Sequence, residues 1–256
     1  MRAVVINMDR SPERLAAFRT QADSLGIEFE RLAAVDAATI QARRGRLTMG
    51  EIACFESHRL AWKSLVQSGE PWLAVFEDDV ILAPAVAPLL RQADWIAKDV
   101  DLIKLETFMA RTKIAPAGIP VAGTCLHRLQ ATHCGSAGYI VSRRAAEWLL
   151  SRTQDFTRPV DIVLFDPEQA TCRGIHILQA VPALCIQERF LSESVDQLPQ
   201  HDGLIERSEV VETVALRGRA KRLHEVRRVW RQISRPRLLW QALRPSRRLV
   251  VPFQDR

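Results

Sequence analysis

Apolar residues in this chain come in short runs that alternate with stretches of helical spacing. Residues 3–8 form an apolar run suited to a buried strand, and Ser11-Pro12-Glu13 then supplies the N-cap, proline and acid of a helix start. Apolar side chains recur at helical spacing from Leu15 to Leu25, and Gly26 is a suitable stop. Residues 27–30 then alternate like a half-exposed strand. The chain therefore opens as a β-α-β unit.

The same alternation continues along the chain. Residues 50–68 carry apolar side chains on one helical face, Gly69 ends them, and residues 71–76 form a second apolar strand. Further elements are expected in the order helix, strand, strand, helix, strand, at residues 89–97, 101–107, 139–142, 145–152 and 175–187. This pattern predicts an α/β fold, a single domain with a mostly parallel central sheet covered on both faces. Ligands of such sheets lie at the carboxyl ends of the strands.

Charge is distributed unevenly over the 256 residues. Residues 217–256 hold 13 Lys and Arg against two acids, an excess of eleven, whereas the whole chain has a net charge of +6 and the first 216 residues one of −5. We therefore expect a folded domain over residues 1–200, and a linker with a basic amphipathic helical tail over residues 201–256. The five scattered cysteines suit a reducing compartment, and no run of about 18 apolar residues predicts a membrane span.

Three consecutive carboxylates, Glu77-Asp78-Asp79, follow the apolar run 71–76. In extended chain the first and third project to the same side, so that they can address one ligand together. Hard oxygen ligands suit Mg²⁺ or Mn²⁺, which bind through one or two carboxylates and the oxygens of a diphosphate. A solvated turn that caps the next helix is an equally good interpretation of the triplet alone. The buried strand that precedes it favours the metal site.

Several fragments of the chain occur in the order found in one known family. They are residues 5–14, 34–36, 46–58, 76–80, 103–105, 135–146 and 159–161, of which the most specific is Gly50-Glu51-Ile52 with Cys54 and Ser57-His58, followed about twenty residues later by Glu-Asp-Asp. Over roughly residues 2–190 the chain resembles glycosyltransferase family 25, the lipooligosaccharide galactosyltransferase family. The resemblance implies a GT-A-like (Rossmann-like) fold.

The resemblance also implies a reaction, a cofactor and a set of site residues. The reaction is transfer of a hexose, most often galactose from UDP-galactose, with inversion, to a saccharide of lipopolysaccharide, lipooligosaccharide or another surface glycan, by a metal-dependent enzyme using Mn²⁺ or Mg²⁺. The metal ligand is Asp79, and the donor-binding candidates are Asn7, Arg10, Arg14, Asp36, His58, Glu77 and Asp78. The helical pattern alone makes His58 a hydrogen-bonded core histidine.

A carboxylate is also needed to deprotonate the acceptor hydroxyl. Asp161 is the candidate, because it lies in a proline-marked loop and matches the Pro-Val-Asp of the family. An N-cap of the following helix is an equally good interpretation of Asp161. Glu106, at the end of the strand expected at 101–107, is the reserve.

Two other functions and one location remain as hypotheses. The chain could be a catalytically silent transferase-like module, or a nucleic-acid-binding protein that uses its basic tail; the single tyrosine and acidic body make nucleic acid an unexpected partner. Apolar positions between Leu216 and Ile233 fall on one helical stripe flanked by arginines, which predicts contact of residues 217–256 with an anionic membrane or packing on the domain. We expect a cytoplasmic protein, peripheral on the inner membrane, that meets a lipid-linked acceptor there.

Overall fold

The computed structural model describes residues 1–192 and 245–255. The strands in these residues are β1 (Arg2–Asn7), β2 (Glu30–Ala33), β3 (Trp72–Glu77), β4 (Val80–Leu82), β5 (Leu102–Lys104), β6 (Glu106–Thr107), β7 (Arg111–Val121), β8 (Thr124–Leu129), β9 (Gly138–Ser142), β10 (Ile177–Val181), β11 (Cys185–Gln187) and β12 (Arg247–Val250). The helices are α1 (Pro12–Leu25), α2 (Met49–Ser68), α3 (Val86–Arg91), α4 (Arg143–Arg152), α5 (Val160–Phe165) and α6 (Arg189–Ser192).

A nine-stranded sheet forms the centre of the described fold, in the order β12-β7-β8-β10-β5-β9-β3-β1-β2. Three neighbouring pairs are parallel, namely β1 with β2, β1 with β3, and β5 with β10. The other five pairs are antiparallel. The α/β class is therefore confirmed, but the expectation of a mostly parallel sheet is wrong. The reason is that β9 runs against both of its neighbours and the β7–β8 hairpin adds antiparallel strands.

Helices cover both faces of this sheet. Alternate residues of β1 point to opposite sides, Val4 into a core shared with α2 and α4, and Val5 into a core shared with α1 and α3. The largest fully buried side chain is Trp62 of α2. A capping box starts α2, since Thr48 Oγ1 accepts from the backbone N–H of Glu51 and the Glu51 carboxylate accepts from that of Thr48. The start of α2 is thereby fixed at Thr48.

A second sheet of three short strands, β4-β11-β6, lies at the carboxyl ends of the central strands. The strand expected at 101–107 is divided between the two sheets after Lys104, and the strand expected at 175–187 is divided after Val181. Gln187 is paired with Val80, and Ile186 with Thr107. The second sheet therefore brings Asp79, Gln187 and the residues after Thr107 to one edge.

The last described residues, 245–255, return to the domain. β12 pairs antiparallel with β7, Val251 is fully buried, and Thr107 Oγ1 donates to the Val251 carbonyl (2.7 Å). This part of the expected helical tail is thus a strand, because Leu249 and Val251 pack against the sheet. Residues 193–244, which include the expected domain boundary and the amphipathic stripe, lie outside the described residues. Among the described helices, none is both long and apolar enough to cross a bilayer.

Candidate active site

Glu77 ends β3 and is held by two neighbours. Ser136 Oγ donates to Glu77 Oε1 (3.0 Å), and His58 Nε2 lies 3.4 Å from the same oxygen. Burial opposes ionisation of Glu77, but the hydrogen bonds from His58 and Ser136 and the positive charge of Arg189 outweigh it, so the pKa of Glu77 is lowered. Glu77 is therefore a fixed, ionised carboxylate.

His58 is oriented from behind by a buried chain of hydrogen bonds. Trp62 Nε1 donates to Tyr139 Oη, and the same hydroxyl lies 2.9 Å from His58 Nδ1. Tyr139 has one proton to donate and already accepts from the indole, so it donates to Nδ1. The remaining ring proton of His58 then sits on Nε2 and faces Glu77. The prediction of a hydrogen-bonded core histidine is confirmed, since His58 is 1% exposed.

Asp78 faces away from Glu77, toward β1 and α1. Asn7 Nδ2 donates to Asp78 Oδ2 (2.7 Å), and Arg14 Nη1 lies 3.4 Å from Asp78 Oδ1. Arg31 Nε in turn donates to Asn7 Oδ1 (2.8 Å). Two of the expected donor-binding residues, Asn7 and Arg14, therefore contact a third, Asp78, on one side of the acidic turn.

Arg10 and Asp36 form a separate pair. Arg10 Nη1 lies 2.6 Å from Asp36 Oδ2, and both side chains are exposed. Asp36 also accepts from the backbone N–H of Ala38 (2.9 Å), and this bond, followed by that from Arg10, lowers the pKa of Asp36. These two expected site residues bond each other, and in the described structure neither is bonded to Glu77, Asp78 or Asp79.

Asp79 is held by a neutral side chain from the second sheet. Gln187 Nε2 donates to both of its oxygens (3.2 and 3.1 Å), and Arg14 Nη1 lies 3.9 Å from Asp79 Oδ2. Burial, followed by repulsion from Glu77, raises the pKa of Asp79 to about 6. Such a pair of crowded carboxylates, Glu77 and Asp79, is a suitable place for a divalent cation.

The loop of residues 134–137, which precedes β9, connects three carboxylates. Gly135 N donates to Asp161 Oδ2 (3.1 Å), Ser136 Oγ donates to Glu77, and Ala137 N donates to Glu106 Oε2 (2.9 Å). Lys104 Nζ donates to the Gly135 carbonyl and lies 3.1 Å from Glu106 Oε2. Hydrogen bonds to Glu77, Glu106 and Asp161 therefore hold this loop in position.

Glu106, the expected reserve base, lies behind this loop. Its side chain and that of Lys104 are fully buried, and Glu106 Oε1 has no hydrogen-bond partner. Burial raises the pKa of Glu106 to about 7, against the attraction of Lys104. A fully enclosed carboxylate cannot take a proton from a bound acceptor, so the assignment of Glu106 as a base is wrong in this structure.

A cleft of about 300 Å³ opens in front of the loop. Glu77, Asp79 and Asp161 line it together, and α2, α5 and α6 contribute further wall residues. Asp161 is in the first turn of α5, whose N-cap position is Pro159, and Asp161 Oδ1 accepts from Ile162 N (2.8 Å). A wider, more open groove lies on the opposite side, between α2 and α4 and around Trp72, far from these carboxylates. The chemistry therefore belongs to the smaller cleft.

One group of soft and hard ligand atoms lies beside the acidic turn. Cys54 Sγ, a His58 ring nitrogen and a Glu77 oxygen are within 4.8 Å of one another. His58 already bonds Glu77 and Tyr139, and burial raises the pKa of Cys54 well above its usual value. The carboxylates Glu77 and Asp79 match the oxygen preference of Mn²⁺ or Mg²⁺ better than this group does.

Sequence reasoning missed several cleft residues. Ser136 and Gln187 hold Glu77 and Asp79 but reach them only through the tertiary fold. Phe108 and Phe190 form part of the cleft wall and carried no motif. A polar residue at the carboxyl end of an expected strand, as Gln187 is, was the one available signal.

The carboxylate-lined cleft lies at the carboxyl ends of the strands, where α/β sheets bind their ligands. Comparison with known proteins identifies the family. Residues 1–164 match the sequence profile of glycosyltransferase family 25, described as LPS biosynthesis protein. The chain belongs to this family and is a glycosyltransferase.

Relatives extend the match beyond the profile. The Lacto-N-neotetraose biosynthesis glycosyltransferase LgtB of Neisseria gonorrhoeae is 31% identical over 224 residues, covering 79% of this chain and 80% of that protein. The lipooligosaccharide biosynthesis protein lex-1 of Haemophilus influenzae is 34% identical over 159 residues, 58% of this chain and 52% of that one. The solved structure of galactosyltransferase LgtC with donor and acceptor sugar analogs has a TM-score of 0.37 at 15% identity, covering 69% and 73% of the two chains, which is too distant to inform function.

Proposed function

We propose that this glycosyltransferase transfers galactose from UDP-galactose, with inversion, to a saccharide acceptor of lipooligosaccharide. One observation carries the proposal: Glu77, Asp79 and Asp161 line the same cleft. Relatives named for lipooligosaccharide and lacto-N-neotetraose biosynthesis support the class of acceptor.

The donor is proposed to bind along the acidic turn. Asn7 and Arg14, which contact Asp78, form the nucleotide side, and Glu77 faces the sugar. Glu77 and Asp79 would hold a Mn²⁺ or Mg²⁺ ion, which neutralises charge on the UDP leaving group when it is bound. Gln187 orients Asp79, and the Ser136 and His58 hydrogen bonds keep Glu77 ionised.

Asp161 is the proposed general base. Each of its oxygens accepts one backbone hydrogen bond, from Gly135 or Ile162, and each retains a second lone pair. The acceptor oxygen attacks the anomeric carbon, the bond from that carbon to the diphosphate breaks, and the hydroxyl proton moves to Asp161. A single displacement of this kind inverts the anomeric centre.

The basic segment is proposed to place the enzyme on the cytoplasmic face of the inner membrane. Residues 217–244 alone hold ten Lys and Arg against Glu225. Basic residues near an anionic surface contribute about 1 kcal/mol each. The enzyme would then find a membrane-anchored acceptor by diffusion within the plane of the membrane. Nucleic acid is not an expected partner.

A panel of nucleotide sugars tests the proposal. Purified full-length protein is incubated with Mn²⁺, a mixture of simple methyl hexosides, and UDP-galactose, UDP-glucose or UDP-N-acetylglucosamine, and UDP release and product configuration are measured. We expect the fastest release with UDP-galactose and a β-linked product from its α-linked donor. An α-linked product would refute inversion, and no release with any donor would favour a catalytically silent module.

A further inference from the structure

Two phenylalanines form an apolar wall in the cleft. Phe108 follows β6 and is half-buried, and Phe190 of α6 is 6% exposed. Their ring centroids are 6.3 Å apart with 53° between the planes. Both rings line the same cleft as Asp79 and Asp161. An aromatic wall thus lies next to the proposed base.

Phe108 is held in place by its neighbours rather than by chance packing. His133 stacks on its ring with centroids 5.0 Å apart and 30° between the planes, and His133 Nδ1 is bonded to Gln179 Oε1 (2.7 Å). Burial lowers the pKa of His133 to about 3, so its imidazole is neutral and stacks as an uncharged ring. The back of Phe108 is therefore covered by a fixed, neutral surface.

The turn that follows Phe108 is strained. Met109 has a φ of 59°, in the left-handed region that non-glycine residues rarely adopt. Met109 N donates to Thr107 Oγ1 (3.1 Å), whose hydroxyl donates to the Val251 carbonyl of the C-terminal segment. Backbone strain of this kind persists only where surrounding contacts impose it, and it clusters at ligand sites.

The position of the wall separates it from the expected nucleotide side. Asn7, Arg14 and Asp78 do not line the cleft, whereas Asp79 and Asp161 do. A group bound against Phe108 would therefore meet the side of the site that holds the base.

We propose that Phe108 and Phe190 form the acceptor subsite, an apolar platform for the C–H face of a terminal hexopyranose whose reacting hydroxyl is directed to Asp161. This inference rests on the proposed function and names the part of the cleft that takes the acceptor. A hexopyranose has one face of C–H groups and a rim of hydroxyls, which suits an aromatic wall next to carboxylates. The cleft volume of about 300 Å³ is within the range of small-ligand sites.

Steady-state kinetics of Phe108→Ala test the proposal, with methyl β-glucoside and methyl N-acetyl-β-glucosaminide as acceptors and UDP-galactose as donor. Loss of the aromatic face is expected to raise the acceptor KM about ten-fold, while the donor KM changes by less than two-fold. Phe108→Tyr keeps the ring and should have an acceptor KM close to that of the wild type. Phe108→Leu removes the ring but keeps an apolar side chain, in case alanine unfolds the turn. Phe29→Ala, which removes another half-buried ring outside the cleft, is the matched control.

Three results would overturn the inference. The first is an unchanged acceptor KM in both Phe108→Ala and Phe108→Leu. The second is a rise in the donor KM alone, which would assign the ring to the nucleotide. The third is an equal rise of the acceptor KM in Phe29→Ala. Saturation-transfer NMR of the methyl glycosides in the presence of UDP gives a second readout, in which the Phe108 ring should contact sugar C–H protons. Release of UDP by the wild-type protein without acceptor tests the proposed function separately, so the two failures are distinguishable.

Discussion

Asp161 carries the proton in the proposed reaction, yet it also anchors a loop. Its two oxygens accept from Gly135 N and Ile162 N, so substitution by alanine would remove both bonds. Asn is the better variant, because its carbonyl oxygen still accepts one of these bonds while its amide cannot take a proton. Asp161→Asn therefore tests the base with the smallest chemical change.

Asp161→Asn is expected to lower kcat by about 10² to 10⁴, the usual contribution of a general base, with little change in the donor KM. Stopped-time assays of galactose transfer at saturating acceptor measure this. Unfolding by urea serves as the control for loop damage. An unaltered kcat would show that Asp161 is not the base and only stabilises the start of α5.

Glu106 gives the structure a pH dependence of known sign. Its pKa is raised to about 7 by burial, from an ordinary value of 4.5. The neutral form is favoured in the fold, so this stabilisation is fully present below about pH 4.5 and is lost as the pH rises through about 7, an effect of about 3 kcal/mol in all.

Glu106→Gln removes this titration. The free energy of unfolding of the wild-type protein should fall between pH 5 and pH 8, and that of the variant should fall less steeply, whatever its absolute stability. Urea denaturation at four pH values measures both slopes. Parallel slopes would show that Glu106 is ionised throughout this range and that its pKa is not raised.

At the scale of elements, the loop 134–137 connects three carboxylates in or behind the site. Gly135 has a φ of +89°, and a Cβ at this position would lie 2.6 Å from Glu106 Oε2. The Glu106 carboxylate is buried and bonded to Lys104 and Ala137, so it cannot move aside. The glycine is thus required both for backbone conformation and for close approach.

Gly135→Ala should displace the loop, loosen the Ser136 bond to Glu77, and lower kcat by about a hundred-fold. Gly174→Ala is the matched control, since Gly174 has a φ of +88° but nothing within 4 Å of the added Cβ. Both variants should lose about 1 kcal/mol from strain, measured by thermal unfolding. Equal kinetics in the two variants would show that the loop does not position the carboxylates.

The elements that sequence predicts well are those with local signals. Residues 50–68 correspond to α2 because the capping box and Gly69 mark both ends of the helix. The β7–β8 hairpin was missed because β7 contains Pro116, Gly118 and Pro120, which are unfavourable in strands, and the register shifts between Ile114 and Gly118. The expected helix at 89–97 instead forms at Val86–Arg91.

The residues of the site also fall into those that a local sequence pattern identifies and those that it does not. The acidic triplet and Asp161 are contiguous motifs and could be identified from sequence. Gln187 and Phe108 reach the cleft because the second sheet places the ends of β6 and β11 beside Asp79, which no local pattern encodes. Ser136 reaches it through the loop before β9.

At the scale of the whole molecule, the C-terminal segment joins the sheet to the cleft. Gln254 N and the Pro252 carbonyl bond Ala183, and the Val251 carbonyl accepts from Thr107, which in turn holds the turn after Phe108. Deleting residues 217–256 would remove these supports together with the basic segment. A test of membrane binding must therefore leave residues 245–256 in place.

Replacing the ten Lys and Arg of residues 217–244 by Gln should abolish cosedimentation with phosphatidylglycerol vesicles. The reason is that anionic lipid attracts each basic residue by about 1 kcal/mol. Transfer to soluble methyl glycosides should be retained, and phosphatidylcholine vesicles are the uncharged control. Undiminished binding of the variant to anionic vesicles would locate the membrane contact elsewhere in the chain.

We propose metal binding by Glu77 and Asp79, which would stabilise the UDP leaving group. Its most direct test is the rate of UDP release from UDP-galactose by the wild-type protein and by Asp79→Asn, both in Mn²⁺ with acceptor present. We expect a loss of about a hundred-fold or more in the variant, which should unfold at a temperature no lower than the wild type, and the same loss in the wild type after EDTA. Equal rates in the variant and the parent, or full activity in EDTA, would contradict it.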